Sequence, residues 1–321
     1  MLEEFTEVLK LERKRNMEQK RNNYMLLAKR SYEANKLEEA ISFYKRALEF
    51  SVGKEYTEVL FHIALIYDKL GDFQRSISIY NDIININENN PGAYYGIAII
   101  EERLGNFSKA LKYFGKAIEL DPEYDRAYYF AANIYDLKGN REKAIELYKK
   151  VIQLKPDDYH AYNNIGSIYE ELGYYDKAYR MIKKSIEINP EFYKSIFNMG
   201  VVYWRLGHKD KALEQYYKSL EYNNSYHYTY LNISAIYIEE ENYKGCIKAL
   251  TEGIENNPSK EDLYYNRACC YSRLGLEKEA IKDIRKTLIL NPSIQKFIKK
   301  DKDFYNLYNN REFKKILRRL D

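Results

Sequence analysis

Cysteine, proline and glycine are scarce in this 321-residue chain, with 3, 6 and 14 copies. Three cysteines, Cys246, Cys269 and Cys270, exclude a disulfide framework, and no CxxC pair supplies a metal or redox motif. That usage fits a reducing compartment. So few prolines and glycines exclude a loop-rich or low-complexity chain. No run of about eighteen apolar residues exists, which excludes a membrane-spanning helix. The start, MLEEFTEVLKLERKRN, carries Glu3, Glu4 and Glu7 and lacks an apolar core, so no secretory signal is expected. The expected location is the cytoplasm. A surplus of one charge is also missing: 52 Lys plus Arg stand against 48 Asp plus Glu. That balance argues against a general nucleic-acid binder.

What the chain does have is periodicity. LGDF at Leu70–Phe73 returns as LGNF at Leu104–Phe107, KGNR from Lys138, LGYY from Leu172, LGHK from Leu206 and LGLE from Leu274. These recur on a 34-residue comb, on which Pro122, Pro156, Pro190, Pro258 and Pro292 also fall. The comb defines eight repeats, at 21–56, 57–90, 91–124, 125–158, 159–192, 193–226, 227–260 and 261–294. Residues 1–20 precede them as an N-terminal helix, and 295–321 follow as capping helices. Position numbers below count within a repeat.

Position 8 reads Ala28, Ala64, Ala98, Ala132, Gly166, Gly200, Ser234, Ala268. Position 20 reads Ala40, Ser76, Ala110, Ala144, Ala178, Ala212, Cys246, Ala280. Small residues at fixed places on two amphipathic runs allow two helices to approach closely. Large residues alternate with them, as at position 24: Tyr44, Tyr80, Phe114, Tyr148, Ile182, Tyr216, Leu250, Ile284. Spacings of three, four and seven make each run a helix with an apolar stripe. Glycine at position 15 ends the first helix, where a left-handed residue is needed. Proline at position 32 follows the second helix. Repeat seven departs most from this pattern, with Glu241 at the turn and Gly245 and Gly253 in its second helix.

This pattern resembles the tetratricopeptide repeat (TPR) family. The resemblance implies an all-α fold: a right-handed superhelical α-solenoid of stacked helix-turn-helix hairpins with a concave groove. Each hairpin buries its apolar face only against its neighbours. The C-terminal segment, with Phe304, Leu307, Phe313, Ile316 and Leu317, resembles the tail that closes many bacterial TPR chains. Its 9 basic and 4 acidic residues make it a solvated cap or a basic docking tail. At the other end, Leu2, Phe5, Val8 and Leu9 mark one side of a helix that extends towards the first repeat or serves dimerisation.

A catalytic reading finds little support. His62, His160, His208 and His227 lie in different repeats, and no HExxH, GxSxG, P-loop or GxGxxG is present. No catalytic residue, cofactor or metal is expected, and Cys269–Cys270 reads as structural. In the family, positions 2, 5, 6, 9, 12 and 13 tend to face the groove, so the groove is the candidate site.

Three patterns line it. Position 6 gives Asn164, Asn198, Asn232 and Asn266, one per repeat. An amide offers donor and acceptor together, which suits a peptide main chain. The column is similar to the asparagine ladder of O-linked N-acetylglucosamine transferases, though their transferase domain is absent. The alternative is that these asparagines bond neighbouring helices. Second, Asp68, Glu102, Asp136 and Glu170 at position 12, with Phe61, Tyr95 and Tyr129 at position 5, suit Lys or Arg side chains. Lys69 and Arg103 at position 13 instead allow these acids to pair internally. Third, Asn133, Asn164 and Lys194 match part of the carboxylate clamp of chaperone-binding TPR proteins, but Tyr129 and Asn198 stand where two cations belong. The expected function is a non-catalytic interaction module that binds an extended peptide or protein segment. Self-assembly through end faces or the N-terminal helix is the alternative. Neither nucleic acid nor membrane insertion is expected.

Overall fold

The computed structural model describes residues 2–318, and the side chains of residues 1–6, 8–10 and 318 lie outside the described set. The apolar side of Leu2, Phe5, Val8 and Leu9 therefore falls outside the described side chains. The chain divides into two units, Met1–Pro156 and Asp157–Asp321.

The N-terminal unit holds α1 (Leu2–Glu33), α2 (Leu37–Leu48), α3 (Lys54–Lys69), α4 (Phe73–Ile86), α5 (Pro91–Arg103), α6 (Phe107–Leu120), α7 (Asp125–Leu137) and α8 (Arg141–Leu154). The C-terminal unit holds α9 (Tyr159–Glu171), α10 (Tyr175–Ile188), α11 (Tyr193–Arg205), α12 (Lys209–Tyr222), α13 (His227–Glu239), α14 (Tyr243–Asn256), α15 (Glu261–Arg273) and α16 (Glu277–Leu290). Within each unit, helix hairpins stack as an all-α solenoid, with no strand among the described residues. The 32-residue α1 runs without a break from the N-terminal segment into the first helix of repeat one.

The turn inside each repeat carries one left-handed residue. Gly71, Gly105, Gly139, Gly173, Gly207 and Gly275 have φ between 73° and 82°. Asn35 and Glu241 occupy the same place with φ of 57° and 54°. Asparagine tolerates this region through its short polar side chain, whereas a glutamate there is strained. The next residue opens the second helix: Asp72, Asn140 and Asn242 each accept the N–H three residues on, at 3.1, 3.2 and 3.0 Å.

The two small columns do what their size permits. All eight position-20 residues are fully buried, and position 8 is buried throughout. A Cβ on Gly200 would lie 2.6 Å from the Tyr216 ring, and one on Gly166 would lie 2.5 Å from Ile182. Position 24 is buried in every repeat, and in repeats one and three its ring reaches forward to position 6 of the next. Tyr44 stacks on His62 at 5.0 Å, and Phe114 on Phe130 at 6.2 Å. Gly96 leaves room for Tyr80, since a Cβ there would sit 2.3 Å from its ring. Gly253 has a similar role, because a Cβ would lie 2.8 Å from Tyr230.

Two features differ from the sequence reading. Cys246 and Cys270 are joined by a disulfide across α14 and α15, with Cα atoms 6.9 Å apart. Counting cysteines gave no sign of this pairing; it follows from packing position 20 of repeat seven against position 10 of repeat eight. Cys269 stays a free, buried thiol. The cap comprises short 3-10 turns at Pro292–Ile294 and Lys302–Leu307, together with α17 (Gln295–Ile298) and α18 (Arg311–Arg318). It buries Ile298, Phe304, Leu307, Phe313 and Leu317 against α15 and α16.

Candidate functional site

In the C-terminal unit the position-6 asparagines share a face but not a set of partners. Asn198 donates its side-chain N–H to Oδ1 of Asn163 at 2.9 Å, one repeat earlier. Asn232 donates to the Tyr216 hydroxyl at 3.3 Å. Asn266 donates to the Asp262 carbonyl of its own helix at 2.8 Å. Asn164 accepts from Asn163 at 3.3 Å. All four are half-buried. The amide nitrogens of Asn198, Asn232 and Asn266 each donate one bond within the protein. No donor among the described residues meets their Oδ1 atoms. No described buried side-chain oxygen lacks a partner, so these three oxygens are open to solvent.

Asn163 escaped the sequence reading. It is buried, and its Oδ1 also accepts from Ser195 at 3.0 Å, whose hydroxyl contacts that of Ser185 at 2.6 Å. The available signal was the break at position 5, where Phe61, Tyr95 and Tyr129 give way to asparagine.

In the N-terminal unit, positions 1, 2, 5, 6 and 9 of α3 line a cavity of about 780 Å³: Thr57, Glu58, Phe61, His62 and Leu65. A second cavity of about 700 Å³ lies between α1 and α3 and shares Glu58 and His62. Burial lowers the His62 pKa, partly offset by Glu58. Further along, Tyr95 meets Tyr124 at 5.1 Å and Phe130 at 6.1 Å, while Tyr129 lies edge-on to Tyr148 at 5.7 Å.

The position-12 acids differ in what they hold. Arg103 pairs with Asp68 at 2.7 Å, and Arg205 pairs with Glu170 at 2.8 Å. Asp136 is bound by Arg141, which also donates to the Asp136 carbonyl at 2.5 Å. The Glu102 carboxylate forms no hydrogen bond or ion pair among the described residues, and burial raises its pKa against the nearby Arg103. Of the clamp-like residues, Asn133 accepts from the Tyr148 hydroxyl at 2.5 Å, and Lys194 is exposed.

One cluster of potential metal ligands exists among the described residues. Cys269, Asp301 and Asp303 place ligand atoms within 4.8 Å of one another. Its acceptors are already engaged: Tyr265 donates to Asp301, and Arg273 bonds Asp303 at 2.8 Å. Burial also raises the Cys269 pKa strongly, which disfavours a thiolate ligand. This cluster fastens the cap to α15.

Family models described as tetratricopeptide repeat match residues 57–90, 103–165, 159–192, 193–226, 227–260 and 261–293. The chain belongs to the tetratricopeptide repeat family. Solved structures are similar to this TPR protein in fold. A tetratricopeptide repeat protein from Parabacteroides merdae is 16% identical, with 78% of this chain and 98% of that one covered and a TM-score of 0.58. PilF of Pseudomonas aeruginosa is 17% identical over 68% of this chain and 96% of its own, with a TM-score of 0.55. A chain of the APC/C Cut9–Hcn1 hetero-tetramer is 17% identical over 91% of this chain and 54% of its own, with a TM-score of 0.57. No curated protein matches the TPR chain. The TPR fold is that of a protein-interaction module, and no described helix is long and apolar enough to cross a membrane.

Proposed function

We propose that this TPR protein is a non-catalytic adaptor whose first-helix face binds an extended segment of another protein. The observation that carries this reading is the orientation of the position-6 amides. Asn198, Asn232 and Asn266 each turn one N–H to a protein acceptor and leave their oxygens open, one per repeat. A column of fixed acceptors suits the N–H groups of an extended main chain, which every residue except proline provides. Because the nitrogens are held, little side-chain freedom remains to be lost on binding. The bonds that hold the ladder to the stack also pre-orient it.

The test uses segments selected from a displayed random library against the intact chain. The single tryptophan, Trp204, stands at position 12 of repeat six and gives a fluorescence readout near the ladder. Replacing Asn232 and Asn266 by Ala should weaken a selected segment by about 0.5–1.5 kcal/mol per lost bond, with helicity unchanged. Unchanged affinity would mean that the ladder serves the stack alone.

A further inference from the structure

First helices of neighbouring repeats meet in a constant register. Residue i of one helix bonds residue i+35 of the next: Asp68 with Arg103, Asn163 with Asn198, Glu170 with Arg205 and Trp204 with Glu239. The register holds separately in both units. At position 12 it produces a carboxylate–guanidinium contact at Asp68–Arg103 and at Glu170–Arg205.

Glu102 breaks the series. It occupies the column of Asp68 and Glu170, on α5, and α5 touches α7 directly. The residue 35 places on is Leu137, whose side chain is 70% exposed and so is not there to fill a core. The adjacent Arg103 is turned back to Asp68. Glu102 is half-buried, yet no described cation or donor bonds it. A part-buried carboxylate without a partner is unfavourable, and glutamine or leucine would remove that cost. Burial raises the Glu102 pKa, as expected of an acid without a bonded cation.

We infer that Glu102, within the N-terminal unit, seats an arginine side chain of a partner segment, which supplies in trans the guanidinium that Arg103 and Arg205 supply within the chain. The seat favours arginine because the two filled versions of this contact hold a planar guanidinium. The exposed Leu137 offers an apolar surface to the methylene stem. The inference rests on the reading above that first-helix faces bind an extended segment, and it concerns the N-terminal unit alone.

The probe is a Gly–Ser peptide with one arginine, compared on the intact chain with the same peptide carrying citrulline, its neutral isostere. NMR titration gives both affinities. Arginine should bind at least about tenfold more tightly than citrulline, the range for a hydrogen bond to a charged group. Glu102→Gln should abolish this preference. Leu137→Arg should abolish it too, by filling the seat from within, and the circular dichroism of both variants should match wild type. Equal binding of the two peptides, or a preference that survives both substitutions, would overturn the inference. Equal binding of the two peptides alongside a library-selected segment that needs the asparagine ladder would sink the arginine seat and leave the groove reading intact. An arginine preference without any ladder-dependent segment would do the reverse.

Discussion

The side-chain amide of Asn198 donates to Oδ1 of Asn163 across 2.9 Å and one repeat boundary. The same oxygen takes the Ser195 hydroxyl at 3.0 Å. Asn163 is therefore a structural node. Asn163→Ala should loosen α9 and α11 by about 1–3 kcal/mol, because it strips two donors of their acceptor. Asn266→Ala, which loses only a bond within its own helix, should cost less than about 0.5 kcal/mol. Hydrogen exchange of the two variants makes the comparison.

Glu241 holds φ of 54° where six other repeats use glycine. Glu241→Gly should relieve about 1 kcal/mol of left-handed strain. Repeat seven is the weakest interior link by sequence, and a stack opens at its poorest member. Residues 240–257 should exchange faster than 172–189 in wild type, and the substitution should narrow the gap. Equal rates in wild type would show that the packing of Gly253 beneath Tyr230 and the Cys246–Cys270 link outweigh the turn.

Two glycines should respond in opposite ways to alanine. At Gly96 a methyl group would sit 2.3 Å from Tyr80, and about 1–3 kcal/mol should be lost to overpacking. At Gly115, inside α6, a methyl group meets nothing within 4 Å. Gly115→Ala should gain about 0.5–1 kcal/mol from reduced chain entropy. Thermal melts of the two variants decide this.

His62 gives a pH signature. Burial, offset in part by Glu58, holds its folded-state pKa below the ordinary 6.5. The neutral ring stacked on Tyr44 therefore contributes stability that is present above 6.5 and is lost as pH falls through the lower folded value. Exchange protection in α2 and α3 should drop on acidification below 6.5, and His62→Phe should remove that part of the drop.

The fold was legible because its determinants are local and repeated. Sixteen small residues at positions 8 and 20, and the turn glycines, specify a hairpin wherever they recur. Partner choice was less legible. The sequence placed Asp68, Glu102, Asp136 and Glu170 in one column of like acids. Contacts 35 residues apart then separate them, pairing Asp68 and Glu170 and leaving Glu102. No single-repeat pattern contains that information, since the deciding residue sits in the following repeat. The Cys246–Cys270 link and the buried Asn163 were missed for the same reason. Each is a product of how one repeat rests on the next.

The most direct test of groove binding is paramagnetic broadening by a library-selected segment that carries a nitroxide at its centre. The side-chain amides of Asn198, Asn232 and Asn266 report from the first helices, and the backbone amides of Lys218 and Glu255 report from α12 and α14. Binding in the groove predicts strong broadening of the asparagine signals and little at Lys218 and Glu255. Broadening centred on Lys218 and Glu255, with the asparagine signals intact, would contradict it.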